Sequence, residues 1–203
     1  MKIKMREMKA FAMMLGCLAA MSFTFTSCSD DDDSYRPLTP EETKTAFEAV
    51  KGEKTGKLVY VAKDEKGKAK NDTLDIAWNI NTDSTMTIKN FPVKVLVENI
   101  TDSAMRVNLM KQPNTDLQCQ IEFTRTSPVT FLIAPATQTY QLSYDDKTPK
   151  VEIAFNGNLA SYGTYTTNTG MTIWLAENAV SVDGKQSTVL PTPVLFKIIT
   201  VTK

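Results

Sequence analysis

The sequence contains no histidine, and this absence excludes several common kinds of active site. Nucleophilic systems of the Ser-His-Asp and Cys-His types need an imidazole as their base. Zinc sites of the HExxH type, and haem held by histidine, need the imidazole as a ligand. Hydrolysis of glycosides by two carboxylates needs no histidine, so it is the one common hydrolytic mechanism that the composition leaves open.

Nucleotide-binding loops and basic clusters are absent as well. Neither GxGxxG nor GxxxxGK[ST] occurs, so the usual phosphate-binding loops are missing. The 23 Lys and Arg residues are balanced by 23 Asp and Glu residues and form no basic stripe, which argues against a nucleic-acid partner. The run Asp30–Asp33 lacks the spaced ligands, turn glycine and closing glutamate of an EF-hand. We therefore expect no metal site and no cofactor.

The N-terminus carries the features of a secretory signal. It is basic through Lys9 and continues into the uncharged run AFAMMLGCLAAMSFTF, residues 10–25. A positive segment followed by a short apolar one is typical of a signal peptide. The run is short for a membrane span, which needs about 20 predominantly apolar residues, and no later run approaches that length. We therefore predict no permanent transmembrane segment.

The signal ends in a cysteine motif. Residues 25–28, Phe-Thr-Ser-Cys, resemble a bacterial lipobox, and Ser29 to Asp33 resembles the acidic export tag of surface lipoproteins from Bacteroides-type Gram-negative bacteria. The resemblance implies cleavage before Cys28, lipidation of Cys28, and display on the outer face of the outer membrane. Two or more acyl chains give stable anchoring. In the alternative interpretation, Cys28 is an ordinary cysteine near a conventional cleavage site, and the aspartates are a solvated linker.

The chain is thus predicted to comprise a signal peptide (1–27), an acidic tether (28–37) and one β-rich domain (38–203), a length that suits a single domain. Cys17 would leave with the signal and Cys28 would carry lipid, so Cys119 alone would remain and no internal disulfide could form. Cys119 alternates in phase with apolar neighbours, which favours a buried core cysteine over a reactive thiol.

A helix is predicted at the start of the domain. Thr39 has the position of an N-cap, Pro40 that of the first helical residue, and Glu42 that of the partner in a capping box. Gly52 is suited to end this helix. Helical spacing is also predicted from Val93 to Ile100, and Asp102 is suited to cap a further helical segment through Met110.

Most of the remaining chain shows the period of two that is typical of half-buried strands. Leu74, Ile76, Trp78 and Ile80 alternate with polar or small residues, which places Trp78 in the core. Short strands with regular turn signals predict a mainly β fold, either an antiparallel sandwich or a calycin-like barrel with one or two short helices. The last strand, from residue 194 to 201, is apolar on both faces, so a central or helix-covered position is expected.

The domain also resembles uncharacterised secreted domains of the same lipoprotein families. The resemblance rests on the helix-then-strand opening from Thr39 to Val61 and on the Asn90-Phe91-Pro92-Val93 break. Such families have no assigned activity, so the resemblance implies no functional residue.

Three aromatic residues are candidates for a binding platform. Trp174 lies out of phase with Met171, Ile173 and Leu175, and Tyr162 and Tyr165 lie nearby among small hydroxyl residues. Exposed aromatic faces beside hydroxyl groups can stack on sugar rings. The alternative is that Trp174 is covered by a helix or by a second sheet.

The preferred interpretation is a non-enzymatic, lipid-anchored cell-surface module without catalytic residues. Its expected partners are the membrane, through Cys28, and either glycan or an envelope protein. Alternatives are a carboxylate-dependent glycan hydrolase, a carrier of a small apolar ligand inside a calycin-like barrel, and a subunit that associates by strand addition. The carboxylates available to a hydrolase, which no spacing pairs, are Asp72, Asp75, Asp83, Glu98, Asp102, Glu122, Glu177 and Asp183.

Overall fold

The structure, a computed structural model, describes residues 36–63, 66–157 and 160–200. These residues belong to the compact unit Arg36–Lys203. The predicted signal peptide and most of the predicted tether, including Cys28, lie outside the described residues. Within the described part of the chain, no helix is long and apolar enough to cross a membrane.

Three α-helices and eleven β-strands occur in the described ranges. The helices are α1 (Pro40–Val50), α2 (Val93–Val97) and α3 (Ser103–Leu109). The strands are β1 (Gly52–Lys63), β2 (Ala69–Ile80), β3 (Thr85–Phe91), β4 (Thr115–Thr126), β5 (Val129–Pro135), β6 (Gln138–Gln141), β7 (Lys150–Asn156), β8 (Tyr162–Thr166), β9 (Gly170–Val182), β10 (Lys185–Ser187) and β11 (Val194–Thr200).

Eight strands close into an antiparallel barrel in the order β1-β2-β3-β4-β5-β8-β9-β11. Closure depends on β11, which pairs with β9 on one side and with β1 on the other. The prediction of a mainly β fold is confirmed. Of the two architectures left open by the sequence, the closed barrel is observed, and it is consistent with a calycin-like barrel. The expected central position of the last strand is also confirmed.

One strand, β9, is longer than the sequence pattern indicates. Its first half pairs with β8 and its second half with β7, along the same edge. Strands β6 and β7 form a hairpin that extends the sheet beyond β8, and β10 pairs with β9. Apolar alternation in the sequence predicts a strand only from Met171 to Leu175. The strand continues to Val182, with a register shift opposite Ala154 and Phe155.

Large apolar side chains fill the barrel. Trp78 is completely buried, and its indole Nε1–H donates to the Met171 sulfur at 3.3 Å. Cys119 is also buried, and burial raises the pKa of its thiol to about 12, so a thiolate is not available there. Both residues were predicted to lie in the core, and both predictions are confirmed.

The helices pack at opposite ends of the barrel. Helix α1 contacts β4 and β5, and Ala49 lies beside the turn between these strands. Helices α2 and α3 connect β3 to β4, which places them at the other end. The predicted capping box is present, because the Glu42 N–H donates to the Thr39 hydroxyl and the Thr39 N–H donates to the Glu42 carboxylate. Asp102 caps α3 by accepting a hydrogen bond from the Met105 N–H at 2.9 Å.

Candidate functional site

Two of the three candidate aromatic residues meet on the outer wall of the barrel. Tyr162 on β8 and Trp174 on β9 are direct cross-strand partners. Both are half-buried, whereas Met171, Ile173 and Leu175 on the opposite face of β9 are buried inside the barrel. Directly opposed side chains in an antiparallel pair lie close enough to act as one surface. The structure therefore brings Tyr162 and Trp174 together.

Tyr165 lies on the other face of β8. It pairs with Val129, which is buried, and it packs against the core near the α1 end of the barrel. Successive residues of a strand point to opposite faces, so two residues three apart cannot share one. Tyr162 and Tyr165 are three residues apart in the sequence, and this odd spacing indicates that they lie on opposite faces of the strand.

Trp174 and Tyr162 belong to a longer row of outward residues, which we call the outer aromatic row. Cross-strand pairing joins them to Leu132 on β5 and, on the other side, to Lys197 on β11 and Val59 on β1. All five residues of the row are half-buried. The row therefore crosses five adjacent strands and offers two aromatic rings at its centre.

A parallel row of hydroxyl groups lies one pleat toward the α1 end. Thr164 and Thr172 are direct cross-strand partners, and Thr130 on β5 pairs with Thr164. The hydroxyls of Thr164 and Thr172 make no hydrogen bond among the described residues, whereas that of Thr130 donates to the Pro128 carbonyl at 3.3 Å. Two hydroxyl groups beside the aromatic pair are thus available to a ligand.

One cation stands in the outer aromatic row. The Lys197 Nζ lies over the Trp174 ring, 5.2 Å from its centroid, in the geometry of a cation–π contact. Among the described residues, no carboxylate lies within salt-bridge distance of Lys197.

Two depressions lie on the same outer wall. One, of about 190 Å³, continues the row beyond Leu132 and is lined by the polar side chains of Gln120 and Glu122. The other, of about 580 Å³, lies across β1, β2 and β3. Its charges are already paired, because Lys57 binds Asp75 at 2.7 Å and Lys89 forms a salt bridge with Glu53. The smaller depression therefore extends the aromatic surface with polar side chains that have no hydrogen-bond partner among the described residues.

A buried polar cluster, which strand alternation does not predict, lies at the second half of β9. Glu177 is completely buried on the inner face of β9, and neither of its carboxylate oxygens has a hydrogen-bond partner among the described residues. Burial raises the pKa of Glu177 to about 8. The hydroxyl of Tyr140 on β6 is likewise buried without a partner. Burial is the main cause that raises the pKa of Tyr140; the nearby Thr115 hydroxyl opposes it, and the neighbouring Glu177 adds to it.

Several of the carboxylates considered for hydrolysis have structural partners instead. Asp75 binds Lys57, Asp102 caps α3, and Asp183 accepts a hydrogen bond from the Lys150 N–H. Glu98 accepts one from the Lys63 N–H, and Asp72 accepts one from the Tyr60 hydroxyl at 3.1 Å. Within the described ranges, no group of three or more His, Cys, Asp or Glu side chains could hold a metal ion.

Comparison with known proteins gives a family but no characterised relative. Neither the curated proteins nor the solved structures provide a match. A family does match residues 49–182, from the last turn of α1 to the end of β9. This range includes Tyr162 and Trp174, and β11 follows it. The match spans more than half of the sequence, and the chain therefore belongs to the family described as Domain of unknown function (DUF4840).

Proposed function

We propose that this protein is a lipid-anchored cell-surface module that binds carbohydrate without modifying it. The observation that carries the proposal is the pairing of Trp174 with Tyr162 on the outer wall, beside the two unbonded hydroxyls of Thr164 and Thr172. A sugar ring has an apolar face that packs on aromatic carbon and a rim of hydroxyl groups that need hydrogen bonds. The outer wall offers both kinds of contact within neighbouring residues.

The location of the aromatic pair also favours an extended ligand. The outer aromatic row runs across strands that are about 4.8 Å apart, so its five residues span about 19 Å. The depression beside Leu132 adds the side chains of Gln120 and Glu122 at one end. A shallow surface of this length suits several linked sugar units better than a single small molecule.

An apolar ligand inside the barrel is the less favoured alternative. Trp78, Phe131 and Phe196 are all completely buried within it. Phe131 also fills the space beside Gly163, where any added Cβ would overlap its ring. Large side chains at native packing density occupy the volume that an internal ligand would need.

Hydrolysis by paired carboxylates is also less favoured. Asp75, Glu98 and Asp102 each stabilise the fold through a salt bridge or a backbone hydrogen bond. Glu177 is the one completely buried carboxyl group among the described residues. It has no hydrogen-bond partner there, and burial alone raises its pKa to about 8, without the contribution that a neighbouring carboxylate would make. A glycosidase needs two carboxyl groups across one sugar ring, about 5–10 Å apart.

The anchor is proposed on the sequence alone. The resemblance of residues 25–28 to a lipobox, and of the acidic residues that follow to an export tag, supports lipid on Cys28 and a domain outside the cell. A binding surface displayed in this way would hold its ligand at the cell surface.

The proposal is tested by screening the purified protein and its Trp174→Ala variant on a glycan array, followed by calorimetric titration of any glycan that binds. We expect the variant to lose at least tenfold in affinity, because the stacking surface is removed. Tyr165→Phe is the matched control, since this aromatic residue lies on the opposite face of β8. Binding that survives in Trp174→Ala, or an array without any bound glycan, would refute the proposal.

A further inference from the structure

Lys197 lies beside the aromatic pair of the proposed binding surface and has no acidic partner among the described residues. Its neighbours in the outer aromatic row are Trp174 on β9 and Val59 on β1. Its ammonium rests over the Trp174 ring at 5.2 Å, and no carboxylate is within salt-bridge distance in the described part of the chain. The cation is therefore held beside the aromatic pair but is not neutralised.

We propose that Lys197 selects sugars that carry a carboxylate, of the uronic-acid type, over their neutral counterparts. This inference rests on the proposed carbohydrate binding. A sugar ring stacked on Trp174 would carry its substituents within reach of the Lys197 ammonium, because these two residues are cross-strand neighbours and such neighbours lie about 5 Å apart. A carboxylate at that position would form a charge-assisted hydrogen bond, which is about twice as strong as a neutral one.

The present contact of Lys197 does not prevent this exchange. A cation–π contact at the protein surface is weak compared with a hydrogen bond between two ions, and the lysine stem is flexible. The ammonium can therefore leave the Trp174 ring when an anion arrives. In doing so it would uncover the ring for stacking, so that binding of the acid and access to the aromatic face would be linked.

The other charges on this wall do not oppose an acidic ligand. Lys57, on the adjacent strand, is already paired with Asp75. Glu122 lies at the far end of the row, four strand spacings or about 19 Å from Lys197, which exceeds the screening length of about 8 Å at physiological salt. Lys197 is thus the charge that sets the local potential at the aromatic pair.

The test uses a panel of uronic-acid oligosaccharides, each paired with its methyl ester, which removes the charge and keeps the ring. We expect the wild-type protein to bind the acid about three- to tenfold more tightly than the ester at low salt. We expect this preference to shrink at 1 M salt, because the screening length falls to about 3 Å. Lys197→Gln should bind both forms equally, whereas Lys197→Arg should keep the preference.

Lys57→Gln is the matched control, because it removes a lysine from the adjacent strand that already has an acidic partner. The control should keep the preference for the acid. If the wild type binds esters as well as acids, or if Lys197→Gln keeps the preference, the assignment of Lys197 is wrong while carbohydrate binding stands. If no member of the panel binds, the proposed function and this inference both fail.

Discussion

Glu177 is a carboxyl group in a place where a charge is costly. It is completely buried, and neither oxygen has a hydrogen-bond partner among the described residues. Because burial raises its pKa to about 8, the side chain is mostly protonated in the folded protein at pH 7. In the unfolded chain, a glutamate has a pKa of about 4.3 and is ionised at that pH. Folding therefore takes up a proton at this residue.

This difference predicts how stability depends on pH. The folded-state pKa is raised, so the contribution of Glu177 is fully present below about pH 4.3 and is lost as the pH rises to about 8. Over that window the free energy of unfolding should fall by at most about 1.4 kcal/mol per pH unit, relative to Glu177→Gln. Denaturant unfolding of both proteins from pH 5 to pH 9 measures the difference. Glu122→Gln, which changes an exposed carboxylate, is the control, and a constant difference between wild type and Glu177→Gln would contradict the prediction.

Gly163 is required by the packing of a neighbouring aromatic ring. A Cβ at this position would overlap the ring of Phe131, the cross-strand partner on β5. Gly163→Ala should therefore lower the free energy of unfolding by about 1–3 kcal/mol, the usual cost of overpacking a core. Thermal unfolding measures the effect. Gly157→Ala is the control, because a Cβ there would make only ordinary contacts with Ala134, and equal effects of the two substitutions would contradict the account.

At the scale of single residues, the sequence predicted those positions that follow strand alternation. Trp78 and Cys119 were assigned to the core on that pattern, and both are buried. Trp174 was assigned to the face opposite Ile173, and it lies there. Glu177 could not be found in the same way, because a glutamate in an alternating pattern normally faces solvent. Its burial follows from tertiary packing, which alternation does not encode.

Helix α1 is fixed by its first turn. The Thr39 hydroxyl accepts a hydrogen bond from the Glu42 N–H at 3.2 Å, and the Glu42 carboxylate also binds Arg36 at 2.7 Å. The hydrogen bond from Arg36 is the main cause that lowers the pKa of Glu42 to about 2, so this carboxylate stays ionised at an acidic pH where most glutamates are protonated. The helix buries Ala46 and Val50 against the barrel.

Removal of the cap should destabilise the domain. Thr39→Ala leaves the Glu42 N–H without its partner and should cost about 1 kcal/mol, within a range of about 0.5–2 kcal/mol. Chemical denaturation measures the change. Thr45→Ala, an exposed threonine within α1, is the matched control and should have little effect or stabilise slightly, because alanine has the higher helix propensity. A loss in Thr45→Ala equal to that in Thr39→Ala would show that the cap is not the cause.

At the scale of elements, local signals located the helices and most strands. The capping residues Thr39 and Asp102 mark the starts of α1 and α3 as observed. The end of β9 was missed because Glu177 and Asn178 interrupt its apolar phase where the register shifts. The short strand β10 was missed because its three residues carry too little pattern to identify a strand.

At the scale of the whole molecule, a sandwich and a barrel share the same local pattern. Both alternate apolar and polar residues along short antiparallel strands, so alternation does not decide between them. Whether the sheet closes into a barrel depends on the pairing of β11 with β1, two strands that are far apart in the sequence. Gly56 permits that pairing, because a Cβ there would overlap the Ile199 carbonyl group. The role of this glycine is visible only once its partner strand is known.

The membrane anchor is a prediction about the whole protein. Cys28→Ala should prevent lipidation and release the protein from the membrane fraction, because the acyl chains provide the membrane affinity. Fractionation of cells and metabolic labelling with a fatty acid measure the two effects. Cys119→Ala is the control, since this buried thiol should carry no lipid. Retention of Cys28→Ala in the membrane fraction would rule out the anchor.

The central claim is that carbohydrate binds on the outer wall at Trp174. The chain has two tryptophans, and the other one, Trp78, is buried in the barrel. A Trp78→Phe variant with a retained thermal transition therefore reports fluorescence from Trp174 alone. During titration with a glycan that the wild type binds, we predict a saturable shift of this emission, with a midpoint that matches the calorimetric affinity. Binding by calorimetry without any change in Trp174 emission would contradict the claim.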